Sequence, residues 1–452
     1  MEFINKNILV CGMARSGQAA ARLLAKLGAK VVAQDLKEEI DWSYPLNPAE
    51  NRDINLYLGK NPDDIVLDFD LIVISPGIPF DLPFLEKARL GGVPVWGEIE
   101  LAYRLCPCPI IGITGTNGKT TVTTLVGEIL HKHNSKTIVV GNIGSPFAEH
   151  VLSLKADNWV VAEISSFQLE TAHEFAPTIS AVLNLSPDHL DRHKTMAIYQ
   201  SAKERIFARQ SADDFAVLGY DNPACRGMRP PCNTIYFSAK EKLDKGVFLD
   251  EGIIKARLFG GEYTVADVRS MKIMPENALA ATALCLCAGV AAETIAEVLL
   301  AFKGVEHRLE YLGTINDIEF YNDSKATNTD AAIKGIEAMQ RPVVLIGGGY
   351  DKSADFSDWV RCFEGKVKHL LLLGEAAAQI IDTCRAFSYN NYDRVNSLRD
   401  AVQLAFSKAH AGDCVLLSPA CASWDMFDNF EQRGDLFKQF VMELQHSIHP
   451  CG

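Results

Sequence analysis

Residues 113–121 read Ile-Thr-Gly-Thr-Asn-Gly-Lys-Thr-Thr, which sets a lysine and several hydroxyls beside two glycines. The apolar run before it, 109–111, reads as the end of a buried strand, and apolar residues at helical spacing over 122–131 read as a helix. A strand that feeds a helix through a glycine-rich turn gathers backbone N–H groups and the positive end of the helix dipole at one point, and such a point attracts phosphate. Lys119 can reach the outer phosphates of a nucleotide, and the Thr120 hydroxyl can ligate magnesium. The generic spacing G-x-x-x-x-G-K-[ST] asks for glycine at Ile113, whereas glycines stand at Gly112 and Gly115. The match is partial, and the plainer alternative is an ordinary turn entering a helix.

Other polar clusters follow strand-like runs. The run 158–162 ends in Glu163, and a carboxylate at the carboxyl end of a core strand, in a sheet that carries a phosphate loop, can hold magnesium directly or through water. A helix-capping acid is the alternative. The stretch 186–193, Ser-Pro-Asp-His-Leu-Asp-Arg-His, offers carboxylate and imidazole ligands to a metal. A hydrogen-bonded loop histidine is the more ordinary reading, and it is the one adopted for His193. Lys203 falls in a helical run whose apolar face includes Ile198, Ala202 and Ile206, which makes it a solvated helix lysine. The segment 322–328, Asn-Asp-Ser-Lys-Ala-Thr-Asn, lies between a strand and a helix over 329–339. It reads as a ligand loop, although turn and capping chemistry alone could account for Asn322, Asp323 and Thr327.

The elements that position these residues repeat one pattern. A strand over 7–11, the turn Gly12-Met13-Ala14-Arg15-Ser16-Gly17, a helix over 18–27 capped by Gly28 and a strand over 30–34 ending in Asp35 open a doubly wound α/β domain. Ala14 stands where a dinucleotide fingerprint has its central glycine, so a plain α/β turn is the competing reading. A strand over 71–74 runs into Ser75-Pro76-Gly77-Ile78-Pro79, a sharp loop at the ligand edge of such a sheet. The middle of the chain gives strands over 135–140, 179–185, 215–218, 234–237, 247–249 and 253–258, closed by helices over 278–289 and 295–302. A hairpin through Asn316-Asp317 and strands over 343–346, 369–373 and 414–417 form a last sheet, with the loops 347–352 and 418–425 at its ligand edge. The expected fold class is α/β, with three domains, 1–97, 98–304 and 305–452, each an open, mainly parallel sheet flanked by helices.

The whole chain limits what this can be. Its 452 residues exceed one ordinary core, and 48% apolar with 22% charged residues is the composition of a globular protein. Lys and Arg number 44 against 57 Asp and Glu, a net charge of −13 that argues against nucleic acid as a partner. Without a long apolar run or a signal pattern in residues 1–6, a cytoplasmic chain with no membrane partner is expected. The 12 cysteines show no disulfide framework: Cys106 and Cys108 flank a proline, and Cys285 and Cys287 lie in an apolar helical run. Reduced thiols are expected, and paired C-x-x-C zinc spacing is absent.

Five motifs carry a resemblance: ITGTNGKTT at 113–121, EISSFQLE at 163–170, LSPDHLDRH at 185–193, NDSKATN at 322–328 and SPACASWDMFDNFEQRG at 418–434. The chain resembles the Mur ligases of peptidoglycan synthesis, and the last two motifs resemble those of the branch that takes D-glutamate. The GTNGKT form of that family also accounts for the misplaced glycines. The resemblance implies a first domain for the uridine nucleotide, a second for ATP and a third for the incoming amino acid. The implied reaction joins UDP-N-acetylmuramoyl-L-alanine to D-glutamate through an acyl phosphate, with ATP and two magnesium ions, in a monomer.

Residue by residue, the resemblance places Gly115, Thr116, Asn117, Gly118, Lys119, Thr120 and Thr121 in the phosphate loop, and Asn277 at adenine, Arg308 at an ATP phosphate and Asp323 at ribose. Magnesium would meet Thr120, Glu163, His189 and Lys203, the last as a carbamate. Asn142, Ser165 and Gln168 match substrate or metal-shell positions. Lys325, Thr327, Lys352, Ser423 and Phe430 match the acyl-phosphate and D-glutamate end. Arg15, Ser16 and Gly77 match the diphosphate side and Asp35 the uracil side. Two alternatives stand beside this: a family member that adds diaminopimelate or lysine, and a protein that binds ATP and a UDP-sugar without turnover. Against the first, Lys352 and Ser423 suit a carboxylate better than a cationic side chain.

Overall fold

A computed structural model describes residues 3–40, 54–271, 273–350 and 354–448. Three sheets organise them. The first is wholly parallel, in the order β3-β2-β1-β4-β5, from β1 (Asn7–Cys11), β2 (Lys30–Asp35), β3 (Ile54–Leu58), β4 (Leu71–Ile74) and β5 (Val95–Gly97). The core strands β1 and β4 are nearly continuous apolar runs because both faces of the sheet are covered. The helix Arg15–Lys26 buries Ala19, Ala20, Leu23 and Leu24. Strand order reverses between β1 and β4, so the turns after these strands, 12–15 and 75–77, flank the crevice where such sheets take ligands.

The second sheet runs β14-β13-β12-β11-β10-β9-β6-β8-β7. Its parallel part comprises β6 (Ile110–Thr114), β7 (Thr137–Gly141), β8 (Trp159–Glu163), β9 (Ile179–Val182), β10 (Phe215–Gly219), β11 (Asn233–Ser238) and β12 (Gly246–Asp250). An antiparallel meander adds β13 (Ile253–Leu258) and β14 (Gly261–Asp267). The helix Pro275–Cys287 is buried from Ala278 to Leu286, which is why its sequence shows apolar residues all round and no stripe. The third sheet has the order β15-β16-β20-β17-β18-β19, from β15 (Glu310–Ile315), β16 (Ile318–Asn322), β17 (Val343–Gly348), β18 (Val367–Leu373), β19 (Tyr392–Arg394) and β20 (Cys414–Leu417). The expected hairpin joins β15 to β16, with Asn316 and Asp317 at φ 50° and 59°, as a two-residue turn of this hand requires.

The chain divides into two compact units, Met1–Leu185 with Thr195–Phe302, and Ser186–Lys194 with Lys303–Gly452. The fold class is the expected one. Three strands were not anticipated, β3, β14 and β19: the first two mix polar with apolar residues and the third is only three residues long. Among the described residues no helix is long and apolar enough to cross a membrane.

Within the first unit, the helix Glu98–Leu105 that leaves β5 is fastened by two buried carboxylates. Glu98 Oε1 accepts the Ala148 N–H at 2.6 Å. Glu100 accepts the N–H groups of His173, Glu174 and Phe175 at 2.9–3.2 Å and Arg104 Nε at 2.6 Å. Burial pushes the Glu98 carboxyl from 4.5 up to about 7. Between those values the folded chain holds the proton more tightly than the unfolded one, so stability falls as pH rises through the window, by about 3 kcal/mol if it is crossed completely. Glu98→Gln cannot ionise and is expected to remove that slope. Denaturant unfolding at pH 5 and pH 8 checks it: the variant should gain on the wild type at the higher pH.

Candidate active site

The phosphate loop begins one residue after β6, which extends to Thr114, beyond the run that the sequence suggested. Gly118 takes φ 83°, a left-handed conformation that favours glycine, and a Cβ there would lie 2.5 Å from Asn277 Oδ1. Asn277 and the loop are therefore neighbours, although far apart in sequence. The helix Lys119–His133 starts at this glycine with no side-chain cap, which leaves its positive dipole end directed at the loop. Lys119 Nζ curls back over the loop and donates to the carbonyls of Gly115 and Thr116 at 2.9 and 2.8 Å.

Asn184, which sequence reasoning missed, clamps this loop. Its Oδ1 accepts the Asn117 N–H at 2.8 Å, its Nδ2 donates to the Asn117 carbonyl at 3.1 Å, and its own carbonyl accepts the Thr116 N–H at 3.0 Å. A lone amide within the apolar run Val182-Leu183-Asn184-Leu185 was the available signal. Tyr199 was missed as well; its hydroxyl meets Thr116 Oγ1 at 3.2 Å.

Glu163 ends β8 and pairs in register with Ile113 of β6. It is 1% exposed. One carboxylate oxygen accepts Asn142 Nδ2 at 2.8 Å, and the other is buried with no hydrogen-bond partner. An anionic oxygen left without a donor fits a hard divalent cation, and with the Thr120 hydroxyl on the neighbouring loop it is the donor chemistry magnesium takes. The backbone holds Asn142 in place: its N–H donates to the Glu163 carbonyl at 2.9 Å. Gly141 before it has φ 107°, and a Cβ would fall 2.3 Å from that same carbonyl. Ser165 and Gln168 engage each other in a capping box on the short helix Ser166–Leu169.

Lys203 is not a solvated lysine. It is 1% exposed, while Ile198, assigned to the apolar face, is 53% exposed. The inward stripe of the helix Met196–Glu204 is Tyr199, Ala202 and Lys203. Lys203 Nζ donates to the Gly115 carbonyl at 2.9 Å and Thr114 Oγ1 at 3.2 Å, and lies 4.8 Å from the Tyr199 ring centre. Burying an ammonium costs several kcal/mol, and here it sits against the phosphate loop. The first unit thus brings Lys119 and Lys203 onto one carbonyl.

At the first sheet, Arg15 and Ser16 open the helix Arg15–Lys26, whose N-terminus has no side-chain cap. Ser75 Oγ donates to the Gly12 carbonyl at 2.7 Å, tying the two turns of the crevice. A Cβ at Gly77 would meet nothing within 4 Å. Both oxygens of Asp35 already accept backbone N–H groups, from Met13 at 2.7 Å and Lys37 at 3.0 Å.

In the second unit, His189 takes φ 54° at the start of the short helix Leu190–His193. Its Nε2 is 3.7 Å from Asp188 Oδ2, which accepts Asn328 Nδ2 at 3.0 Å. His193, read from sequence as a loop residue, closes that helix and is buried. Arg308 Nη1 donates to Asp323 Oδ1 at 3.3 Å, and Ser418 Oγ donates to Asp323 Oδ2 at 2.8 Å. Burial pushes the Asp323 carboxyl up to about 6, against the pull of Arg308. Lys325 Nζ lies over the Phe430 ring, 4.5 Å from its centre. Ser423 is buried. Thr327 lines a cavity of about 460 Å³ with His189, Asn328, Tyr350 and Cys421. Lys352 lies outside the described residues.

Arg433, near the end of the 418–434 motif, has a central place in the structure that sequence reasoning missed. Fully buried, it donates to Ser324 Oγ and to the carbonyls of Ser324, Cys421 and Ala422 at 2.8–3.3 Å. It ties the 322–328 loop to the 418–425 loop. Its inward position on the helix Phe430–Ile448 is what a basic residue within a polar run conceals.

Three family models match the chain: "Mur ligase MurD-like, N-terminal domain" over residues 6–97, "Mur ligase middle domain" over 113–285 and "Mur ligase, glutamate ligase domain" over 307–421. A UDP-N-acetylmuramoylalanine--D-glutamate ligase of Alkaliphilus metalliredigens (strain QYMF) is 45% identical, covering 99% of this chain and all of the relative. The enzyme of that name from Thermoanaerobacter sp. (strain X514) is also 45% identical, over 98% of this chain and all of its own. Among solved structures, the UDP-N-acetylmuramate-alanine ligase MurC of Thermotoga maritima shares the fold with a TM-score of 0.60 at 18% identity, over 98% of this chain and 100% of that one. The MurF ligase of Thermotoga maritima in complex with ADP does so with a TM-score of 0.59 at 14% identity, over 98% and 96%.

Proposed function

The chain belongs to the Mur ligase family, and from that premise we propose that it joins D-glutamate to UDP-N-acetylmuramoyl-L-alanine, converting ATP to ADP and phosphate, as a monomer in the cytoplasm. Its working domains are 1–97 for the uridine nucleotide, 98–304 for ATP and 305–452 for the amino acid. Glu163 carries the ATP-dependent half of this reading: a buried carboxylate with an unsatisfied oxygen, registered in the sheet beside the phosphate loop. The choice of D-glutamate is supported by the full-length relatives of that name at 45% identity.

A carboxylate is a poor acylating agent, so the substrate's terminal carboxylate attacks the γ-phosphate of ATP, and ADP leaves. The acyl phosphate formed is then attacked by the amine of D-glutamate, and a tetrahedral intermediate collapses with loss of phosphate. Such chemistry asks mainly for placement and for neutralisation of phosphate charge. The loop 115–121 cradles the phosphates with its N–H groups, Lys119 takes charge from the outer ones, and Asn277 meets adenine beside Gly118. Glu163 and Thr120 would hold magnesium within the first unit, and carbamylated Lys203 would offer a further anionic ligand there; His189 is the ligand the second unit would offer. Magnesium bound there would supply charge neutralisation at the transferred phosphoryl group. Asn142 is fixed by Glu163 to face the substrate, with Ser165 and Gln168 beside it. Arg308 and Lys325 serve the phosphate and acyl-phosphate end, with Asp323 holding Arg308 and reaching the ribose. Thr327, Lys352, Ser423 and Phe430 receive D-glutamate. Arg15, Ser16, Gly77 and Asp35 take the uridine diphosphate.

Phosphate release with ATP and the UDP-substrate, over a panel of amino acids, tests this. D-glutamate is expected to support turnover and L-glutamate to give at most about 1% of that rate, because a misplaced amine forfeits the orientation on which the rate depends. Equal turnover of the two enantiomers, or preference for lysine or diaminopimelate, would overturn the assignment.

A further inference from the structure

The connection between the helix Glu98–Leu105 and β6 is Cys106-Pro107-Cys108-Pro109, and its two sulfurs lie 3.5 Å apart. Cys106 Sγ also reaches the Cys108 carbonyl at 3.4 Å. Cys108 is buried and Cys106 half-buried, so Cys106 is the more accessible residue of the pair. The second Cys-x-Cys of the chain behaves differently: Cys285 and Cys287 lie in the helix Pro275–Cys287, where residues two apart point to different faces. The spacing is the same, and the backbone decides whether the thiols meet.

Both ends of the connection are anchored. The Cys106 N–H donates to the Tyr103 carbonyl at 3.0 Å, and β6 is paired on both sides, with β8 and β9. Two prolines fix φ within it. A disulfide needs sulfurs about 2.05 Å apart, so ring closure asks the two sulfurs to approach by about 1.5 Å.

We propose that Cys106 and Cys108 are a modification site, a dithiol that closes reversibly into a disulfide by exchange with a small-molecule disulfide. Cys106 loses its proton to solvent, and its sulfur attacks one sulfur of the small disulfide RSSR, expelling RS⁻ and forming a mixed disulfide. Cys108 then gives up its proton, and its sulfur attacks the Cys106 sulfur and expels the second RS⁻. The two expelled thiolates take up the two protons, so two cysteine thiols and RSSR become one protein disulfide and two RSH. The order follows from the surroundings: burial and the neighbouring thiol push Cys108 up to about 12, whereas Cys106 is the more exposed of the two. A ring closed in so short and doubly anchored a segment belongs to the strained, readily reduced class of disulfides. It would sit immediately before the strand that ends at the phosphate loop.

Tryptic peptide 105–119 contains both cysteines and no other. The intact protein would be incubated with bis(2-hydroxyethyl) disulfide, quenched in acid, alkylated with iodoacetamide, digested and weighed. The expected peptide is unalkylated and two hydrogens lighter than its reduced form, and dithiothreitol before alkylation converts it to the doubly alkylated form. Cys106→Ser should leave Cys108 alkylated, and Cys108→Ser should stop at the mixed disulfide on Cys106. Recovery of a doubly alkylated peptide under conditions that oxidise a small dithiol, or of two separate mixed disulfides, would overturn the proposal.

Discussion

Lys203→Ala is expected to lower the rate of ligation by about a hundredfold or more while leaving ATP affinity within a few fold, and a small carboxylate such as acetate is expected to restore part of the rate. The magnitude is that of removing one preorganised charge-stabilising group from an active site. The structure makes the position unusual before any chemistry is considered. Its Nζ is fully buried and held by the Gly115 carbonyl and Thr114 Oγ1, so the chain bears the cost of burying an amine beside the loop that receives phosphate. Carbamylation would leave one N–H on that nitrogen, enough to keep the bond to Gly115, and would add a carboxylate beyond it. Carbamylation begins with attack of the amine nitrogen on the carbon of carbon dioxide and loss of one proton from that nitrogen. Acetate can replace a missing carboxylate but not a missing structural lysine. Steady-state phosphate release with and without acetate, beside a thermal unfolding curve, therefore separates the two roles: full activity of the variant, or loss that acetate never relieves in a folded protein, would sink the carbamate reading.

Lys203 also shows where sequence reasoning reached its limit. Helical spacing through Ile198, Ala202 and Ile206 gave it a solvated face, because periodicity locates a stripe only to within about one residue and treats a long cation as exposed by default. The inward stripe turned out to hold Tyr199 and Lys203, with Ile198 outside. The phosphate loop was legible because its chemistry is local: glycines, a lysine and a hydroxyl within a few residues, between a strand and a helix. Asn277 beside Gly118, Asn184 under Asn117 and Arg433 between two loops are long-range relations, and a single sequence carries little trace of them beyond one polar residue in unexpected company. The parallel core strands were readable from their continuous apolar runs, while mixed-polarity strands such as β3 and β14 lack that signature.

Glu163→Gln is expected to make the protein more stable and nearly inactive. Glutamine keeps an oxygen that can accept Asn142 Nδ2, so the Asn142 loop retains its tie. What changes is the second oxygen, buried and without a hydrogen-bond partner, which becomes an amide nitrogen. A neutral amide costs less to bury than a carboxylate lacking a donor, and the gain should be about 1–3 kcal/mol, read as a higher unfolding temperature in the absence of magnesium. The same change removes an anionic ligand and sets N–H groups toward the cation, so turnover at saturating ATP should fall by about a hundredfold or more. Magnesium is expected to raise the unfolding temperature of the wild type in the presence of a non-hydrolysable ATP analogue and to leave that of the variant almost unchanged. The opposite signs are the diagnostic feature. A residue that served only the fold would lose stability together with activity, whereas one retained for its metal is held at the expense of stability. Thermal unfolding with and without magnesium, together with phosphate release, measures both, and a variant that is less stable yet still responds to magnesium would remove Glu163 from the metal site.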